Sequence, residues 1–537
     1  MSIGLTHTEE KKSDATAKHA NNERGHSMPG RIASESSKLS ALLVGVEASV
    51  PAEAGGLDIR QVACDSRKVQ PRALFFALHG AKADGNTFIR DAVSRGAVAI
   101  ASEDAPPVAM PSSVAWIRVA HARKALAVTA ANFFGHPGKA LQLVAVTGTN
   151  GKTTTTSLVD SIIKACGAKT GLFGTIGYHT PLGDYPAPNT TPESVDLQGF
   201  LGEIRDAGGS YGVLEASSHS LAMDRLWGCH FAAAVFTNLT REHMDYHKTF
   251  EDYFAAKLRL FEGTGAGAPD AAVLNTDDEY GKRLASLAKN PVTYGLNSGA
   301  QLTTKKFHLT FSGLSFAAQT PNGKIDIESP LVGRINVYNI LAAIGATQAL
   351  GLSNEVIAAG IRNLKNVSGR FQPIAMGQPF LVVVDYAHTD DALENLIRTA
   401  RELNPKGRII TLFGCGGLKD RTKRPVMGEV AGRLSDLTIL SSDNPKSEDP
   451  LKIISDIVVG LQKTHGKYMI EPDREKAIGL AIDEARAGDI LLLAGKGHEN
   501  YQILADRTLE FDDREVARGA LRERGYDRPE SGPGFGT

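Results

Sequence analysis

The apolar residues of this chain fall into short, nearly continuous runs separated by longer amphipathic stretches. Residues 141–146, 212–215, 233–238 and 272–275 are such runs in the middle of the chain. Residues 381–385, 409–413, 437–441 and 490–494 are their counterparts further on. Runs of four to six apolar residues without alternation read as strands covered on both faces, as in a parallel sheet. The stretches between them carry helical periodicity, the clearest from about Lys152 to Cys166. Strand and helix in alternation predict an α/β fold. Ahead of these, residues 39–140 hold shorter elements: apolar runs at 73–80, 97–103 and 114–120 and a helix over 88–95.

Breaks in this rhythm divide the chain. Gly135-His136-Pro137-Gly138 interrupts the pattern before the first long strand, and Gly369-Arg370-Phe371 precedes the second set of strands. The predicted units are an N-terminal domain over 38–138, a central domain over 139–367 and a C-terminal domain over 368–525. Residues 1–37 are polar and lack the apolar stretch of a secretory signal. They are expected to be a disordered, functionally silent extension, with Met28 an alternative start; 526–537 reads as a flexible tail. No internal repeat is visible.

Composition narrows the function. Across 537 residues, 59 Lys and Arg balance 60 Asp and Glu, a net charge of −1. That gives no basic stripe for nucleic acid and no electrostatic handle on an anionic membrane. No apolar run reaches the length that spans a bilayer. Cys64, Cys166, Cys229 and Cys415 are far apart and form no CxxC pair, which argues against a disulfide framework or zinc site and fits a reducing cytoplasm.

The strongest chemical signal is the stretch Thr147-Gly148-Thr149-Asn150-Gly151-Lys152-Thr153-Thr154, between a buried strand and a helix. Exposed N–H groups of such a turn, together with the helix N-terminus, form a nest for an anion. Lys152 would supply charge to the outer phosphates of ATP, and Thr153 a hydroxyl for Mg²⁺. Val146 occupies the first glycine position of the strict phosphate-loop pattern, so the loop is a variant. Further metal ligands are expected at Glu215, which ends one strand, and at His243, which follows the next within a His243/Asp245/His247 cluster.

Beyond these, TGTNGKTT, NTTP (189–192), EASSHSL (215–221), TNLTREHMDYH (237–247), AAKLRLF around Lys257, DYAHT (385–389), GCGG (414–417), DNPK (443–446) and GKGHENYQ (495–502) occur in order. Over roughly residues 38–520 the chain resembles the Mur ligases, and more narrowly the branch adding the third residue of the peptidoglycan peptide. The resemblance implies an α/β protein of three domains, with a central P-loop-type parallel sheet and a C-terminal Rossmann-like domain. It implies an ATP- and Mg²⁺-dependent amide ligase of cell-wall synthesis. A carboxylate would be phosphorylated to an acyl phosphate, which an amine then attacks, releasing ADP and phosphate.

Roles follow by position. Lys152, Lys257 and His243 match catalytic residues, and Lys257 the site of a carbamylated lysine; from the sequence alone it reads as an ordinary helix-surface residue. Asn336, Asn339, Arg370 and Asp385 match ATP contacts, added to the loop 147–154. Thr153, Glu215, His243 and Lys257 match metal ligands. Asp65, Ser66 and the 81–83 stretch match the uridine-diphosphate segments; Asn189, Thr190, Thr191, Ser217 and Arg225 match sugar-peptide contacts. Lys419, Asp443, Asn444, Pro445, Lys446, Gly495 and Glu499 match the amino-acid pocket. The implied substrates are UDP-MurNAc-L-Ala-D-Glu and meso-diaminopimelate, with L-lysine as the alternative. Diaminopimelate is favoured because Lys446 keeps a cation where the distal carboxylate would bind. The expected protein is a monomer without nucleic-acid partner or membrane insertion. A folate-type ligase, a nucleic-acid ATPase and a catalytically dead relative are the competing readings.

Overall fold

A computed structural model of the chain describes residues 36–80, 83–107, 110–244, 246–297 and 299–527. The expectations about residues 1–35, Met28 included, and about Ala81, Asp245 and the tail from 528 onward lie outside the described residues.

The N-terminal domain is a five-stranded sheet in the order Ala48–Ser49, Ala115–Val119, Ala97–Ser102, Ala73–Phe76 and Gln61–Ala63. All its strands are parallel except the first. Ser37, one residue ahead of the expected domain start, already pairs with Ile59. The 135–138 break is a turn with His136 in the left-handed region (φ 53°). Arg205 pins it to the central domain by donating to the carbonyls of Phe134 and Gly135 at 3.0 and 3.3 Å.

The central domain opens with β1 (Gln142–Thr147) and helix α1 (Lys152–Ala165). β2 (Tyr211–Glu215) and β3 (Ala233–Phe236) flank β1 in parallel register, Glu215 beside Val146 and Phe236 beside Thr147. Helix α2 (Phe250–Glu262) follows β3, and α3 (Ile335–Ala349) comes late in the domain. The whole sheet has eight strands, six of them parallel, with an antiparallel hairpin at residues 178–185 on one edge. Apolar cores fill both faces, one under α1 and α3, the other under α2 and the helix Ser194–Asp206. β3 ends two residues earlier than its apolar run suggested. Thr237 and Asn238 leave the ladder because they bond the phosphate loop instead. An antiparallel three-stranded sheet (Phe307–Thr310, Gly313–Thr320, Gly323–Ser329) was not anticipated.

In the C-terminal domain, β4 (Leu381–Asp385), α4 (Asp390–Leu403), β5 (Ile409–Phe413), β6 (Leu437–Leu440), α5 (Arg474–Glu484), β7 (Ile490–Ala494) and α6 (Asp513–Glu523) build a second α/β unit. The sheet order is 372–374, β4, β7, β5, β6, 468–470, with only the first edge strand antiparallel. Four strands were expected; six form, the two edges being too short to stand out. Ligands of such sheets gather at the carboxyl ends of the strands, and there this domain meets the phosphate loop.

Candidate active site

Two glycines allow the phosphate loop its shape. Gly148 has φ 143°, and a Cβ there would lie 1.8 Å from Thr237 Oγ1. Gly151, at φ 88°, would put one 2.5 Å from Asn339 Oδ1. The loop is braced by the neighbouring strand end: Thr149 N–H donates to the Asn238 carbonyl, and Asn150 N–H to Asn238 Oδ1, both at 2.9 Å. Lys152 Nζ donates to the loop carbonyls of Gly148 (3.0 Å) and Thr149 (2.7 Å). Its charge therefore stands at the nest where phosphates would lie.

Lys257 is not the surface residue its sequence context suggested. It is 1% exposed, and its Nζ donates to the same Gly148 carbonyl at 2.9 Å. Burial, and then the nearby Lys152 charge, pull its pKa well below that of an ordinary lysine. The signal was present: Tyr253, Lys257, Leu260 and Phe261 share one face of α2. A lysine in an apolar stripe is a candidate for chemistry.

His243 adopts φ 58°, and its ring packs edge-on to His219 at 4.7 Å between centroids. Burial lowers its pKa to about 4, leaving the imidazole neutral with a lone pair for a cation. Beside it stands Glu242, which the sequence reading passed over. Its carboxylate lies 3.6 Å from His243 Nε2 and 3.3 Å from His388 Nε2 of the C-terminal domain. Burial would raise its pKa, but the hydrogen bond from His388 holds it below the usual carboxylate range. Glu215 is buried on the opposite side of the loop, accepting from Thr175 N–H (2.9 Å) and Thr175 Oγ1 (3.0 Å). Among the described residues no group of three or more His, Cys, Asp or Glu side chains is arranged to hold a metal alone. The donors present, Thr153 hydroxyl, Glu215 carboxylate and neutral His243, fit a Mg²⁺ that takes its remaining ligands from phosphate and water, as that ion prefers.

The expected nucleotide contacts converge. Asn150, Gly151, Thr153, Thr154, Asn336, Asn339, Arg370 and Asp385 line one cleft. Arg370 comes from the C-terminal domain: Nη2 donates to Thr153 Oγ1 at 3.1 Å, while Nε is buried without a hydrogen-bond partner. A buried guanidinium N–H so placed suits an anionic ligand. Asn339 donates to Asn336 Oδ1 at 2.9 Å, and Asn336 to the Val332 carbonyl at 2.7 Å. Asp385 uses both oxygens on backbone groups, accepting from Phe371 N–H, just ahead of the 372–374 edge strand, at 2.7 Å and from Ala387 N–H, on the turn after β4, at 2.8 Å. Burial raises its pKa.

A second cavity brings together Lys419, Asp443, Asn444, Lys446, Gly495 and Glu499 with Glu242 and His243. Arg421, close to Lys419 in sequence, instead bonds Asp456 at 3.1 Å on the surface. Gly495 (φ 111°) lets the two motif loops touch, since a Cβ there would be 2.9 Å from Asp443 Oδ2. Asn444 Nδ2 donates to Glu499 Oε2 at 2.8 Å. Burial, then the neighbouring Asp443 charge, raise the Glu499 pKa.

The sugar-peptide candidates are mixed in kind. Thr191 is fully buried and donates to the Glu215 carbonyl (2.7 Å); Ser217 caps a short helix over Ser218–Ala222. Both act at least as fastenings of the strand end. Asn189 accepts from Tyr178 through its carbonyl, and Thr190 Oγ1 accepts from Thr175 at 3.3 Å. Arg225 donates to the Thr191 carbonyl (3.0 Å) and lies 3.3 Å from Glu193, which also faces Arg123 of the N-terminal domain at 3.7 Å. Asp65 is held by Arg67, and Ser66 is buried beneath it.

Comparison with known proteins agrees with this geometry. Three family profiles match: "Mur ligase family, catalytic domain" over 58–134, "Mur ligase middle domain" over 146–347, and "Mur ligase, glutamate ligase domain" over 369–497. The chain is 53% identical over 470 residues to the UDP-N-acetylmuramoyl-L-alanyl-D-glutamate--2,6-diaminopimelate ligase of Solibacter usitatus, covering 87% of this chain and 94% of that protein. It is 45% identical over 478 residues to the ligase of the same name from Geobacillus kaustophilus, covering 88% and 96%. A solved structure of a ligase of that name superposes with a TM-score of 0.63 at 33% identity, covering 89% of this chain and 97% of that one. With phosphate loop, buried lysine and all three domains accounted for, the chain belongs to the Mur ligase family.

Proposed function

We propose that this protein is the ATP-dependent ligase that joins meso-diaminopimelate to the D-Glu carboxylate of UDP-MurNAc-L-Ala-D-Glu. The observation that carries the choice of amino acid is the mixed charge of the second cavity. Lys419, Lys423, Lys446 and Arg241 line it together with Asp443, Glu499, Glu242, Asp390 and Asp420. Both signs in one site suit a substrate bearing two ammonium and two carboxylate groups, whereas L-lysine brings a single carboxylate. Lys446 and Lys419 keep positive charge for the distal carboxylate but lack the planar fork of arginine.

Within this reading the chain's own groups divide the labour. Lys152 and the loop N–H groups neutralise the transferring phosphoryl group, so that it can meet a carboxylate, itself an anion. Arg370 closes over the same charge from the C-terminal domain. Burial favours the uncharged amine of Lys257, the form that adds to carbon dioxide, with loss of a proton, to give a carbamate. Bound Mg²⁺ would screen charge between the phosphates and the acyl group. Glu499 and Asn444 orient the amino acid so that its amine faces the activated carboxyl group.

The test is ADP release with UDP-MurNAc-dipeptide and each candidate diamino acid. Release dependent on meso-diaminopimelate is expected. Equal or better turnover with L-lysine would overturn the amino-acid assignment. Lys446→Ala should weaken diaminopimelate binding by roughly 1.5–3 kcal/mol, the range for a charged hydrogen bond, and Lys446→Arg should be tolerated.

A further inference from the structure

Below the second cavity lies an ion pair that takes no direct part in the reading above. Arg474, the first residue of α5, is 1% exposed, and Asp513, the first of α6, is 0% exposed. Arg474 Nε and Nη2 donate to the two carboxylate oxygens at 2.7 and 2.6 Å. The remaining bonds leave the pair: Nη1 donates to the Ser442 carbonyl at 3.2 Å and Nη2 to the Ala494 carbonyl at 3.0 Å. Ser442 stands immediately before Asp443, and Ala494 immediately before Gly495. β6 and β7 are not neighbours; each pairs with β5 between them. One guanidinium thus bonds the chain just past β6 and at the end of β7, on the sheet's carboxyl edge.

A buried ion pair is a poor way to gain stability, because an apolar pair of the same volume does as well or better. What this pair adds is geometry. Every guanidinium nitrogen is bonded, so the plane is fixed, and with it the separation of the loops carrying Asp443 and Glu499. Nearer their tips the same loops are also joined: Asn444 Nδ2 donates to Glu499 and Gln502 Nε2 to the Asp443 carbonyl, both at 2.8 Å, Ile503 N–H to Asn444 Oδ1 at 2.9 Å and Lys446 N–H to the Ile503 carbonyl at 3.0 Å. A second buried cation, Lys496, lies 3.4 Å from Glu499 and donates to the Tyr501 carbonyl. Two carboxylates in one cavity repel each other, and the cations behind them offset that repulsion.

We propose that Arg474 is a positioning residue for the amino-acid substrate, holding the Asp443 and Glu499 loops at the spacing that a diamino acid needs. This rests on the function proposed above. The test compares wild type with Arg474→Met, Arg474→Lys and Asp513→Asn, measuring KM for meso-diaminopimelate and for ATP, and thermal unfolding. In Arg474→Met the diaminopimelate KM should rise at least tenfold while the ATP KM stays within twofold. Arg474→Lys should recover part of the loss, and Asp513→Asn should fall between. If Arg474→Met does not fold, the other two variants carry the same criterion. A diaminopimelate KM within twofold of wild type in the folded variants, whatever the melting temperature does, would reduce Arg474 to a structural residue and overturn the inference alone. A wild type that releases no ADP with diaminopimelate would overturn the functional reading and this inference together.

Discussion

At the scale of the residue, what the sequence revealed depended on whether the chemistry was local. Thr147 to Thr154 are contiguous, so strand, loop and helix start could be read together. Glu242 could not, because its role comes from His388, 146 positions later in the sequence. Lys152→Ala removes charge rather than packing, so turnover should fall below a tenth of wild type while the unfolding midpoint stays put; more activity than that would sink the phosphate-loop role. Lys257→Ala should be nearly inactive, and short carboxylic acids should restore some rate by standing in for the carbamate. Glu499 gives a pH dependence. Its pKa is raised by burial and by Asp443, so the ionised form that binds an ammonium is lost as pH falls, and at a higher pH than for an ordinary carboxylate near 4.3. The diaminopimelate KM should therefore climb on the acid side. In Glu499→Gln that climb should vanish while KM is high throughout; an unchanged acid limb in the variant would assign the titration elsewhere.

At the scale of the element, long buried strands were legible because a two-sided apolar environment leaves a run without alternation. The three-stranded sheet at 307–329 was not, since its one-sided pattern is a period-two signal spread over short segments. Its Pro321-Asn322-Gly323 turn, between Leu314/Phe316/Ala318 and Ile325/Ile327, was the available clue. Helix contacts are likewise invisible until the partner is known. Gly360, in the helix Asn354–Asn363, would place a Cβ 2.3 Å from Ile162 Cα of α1, and its carbonyl accepts from Ser161 Oγ at 2.7 Å. Gly360→Val should therefore push that helix off the one that begins at the phosphate loop. The expected cost is about 1–3 kcal/mol, as for other overpacked contacts, read as a lower urea midpoint. A shift under about 0.5 kcal/mol would show that the helices separate freely.

At the scale of the whole molecule, the central and C-terminal domains meet through side chains that also border the reaction. Asn150 Nδ2 donates to Asp391 Oδ2 of α4 at 2.6 Å, and Thr240 Oγ1 donates to the same oxygen at 3.3 Å. Arg241 Nη2 donates to Thr422 Oγ1 at 3.0 Å and Glu242 pairs with His388, whose carbonyl is held within the C-terminal domain by Lys423 Nζ at 2.7 Å. The contact between the two domains is thus fastened on the phosphate loop itself, so that domain placement and loop shape depend on one another. A few charged hydrogen bonds, each worth roughly 1.5–3 kcal/mol, weigh in how firmly the two domains hold together. Asn150→Ala and Asp391→Ala should each lower kcat by about tenfold or more while leaving the unfolding midpoint nearly unchanged. Because they break the same bond, the double variant should be scarcely worse than either single one. Solution scattering should show all three more extended than wild type in the presence of nucleotide. Additive losses in kcat, with unaltered scattering, would mean that Asp391 and Asn150 act separately and that closure is governed elsewhere.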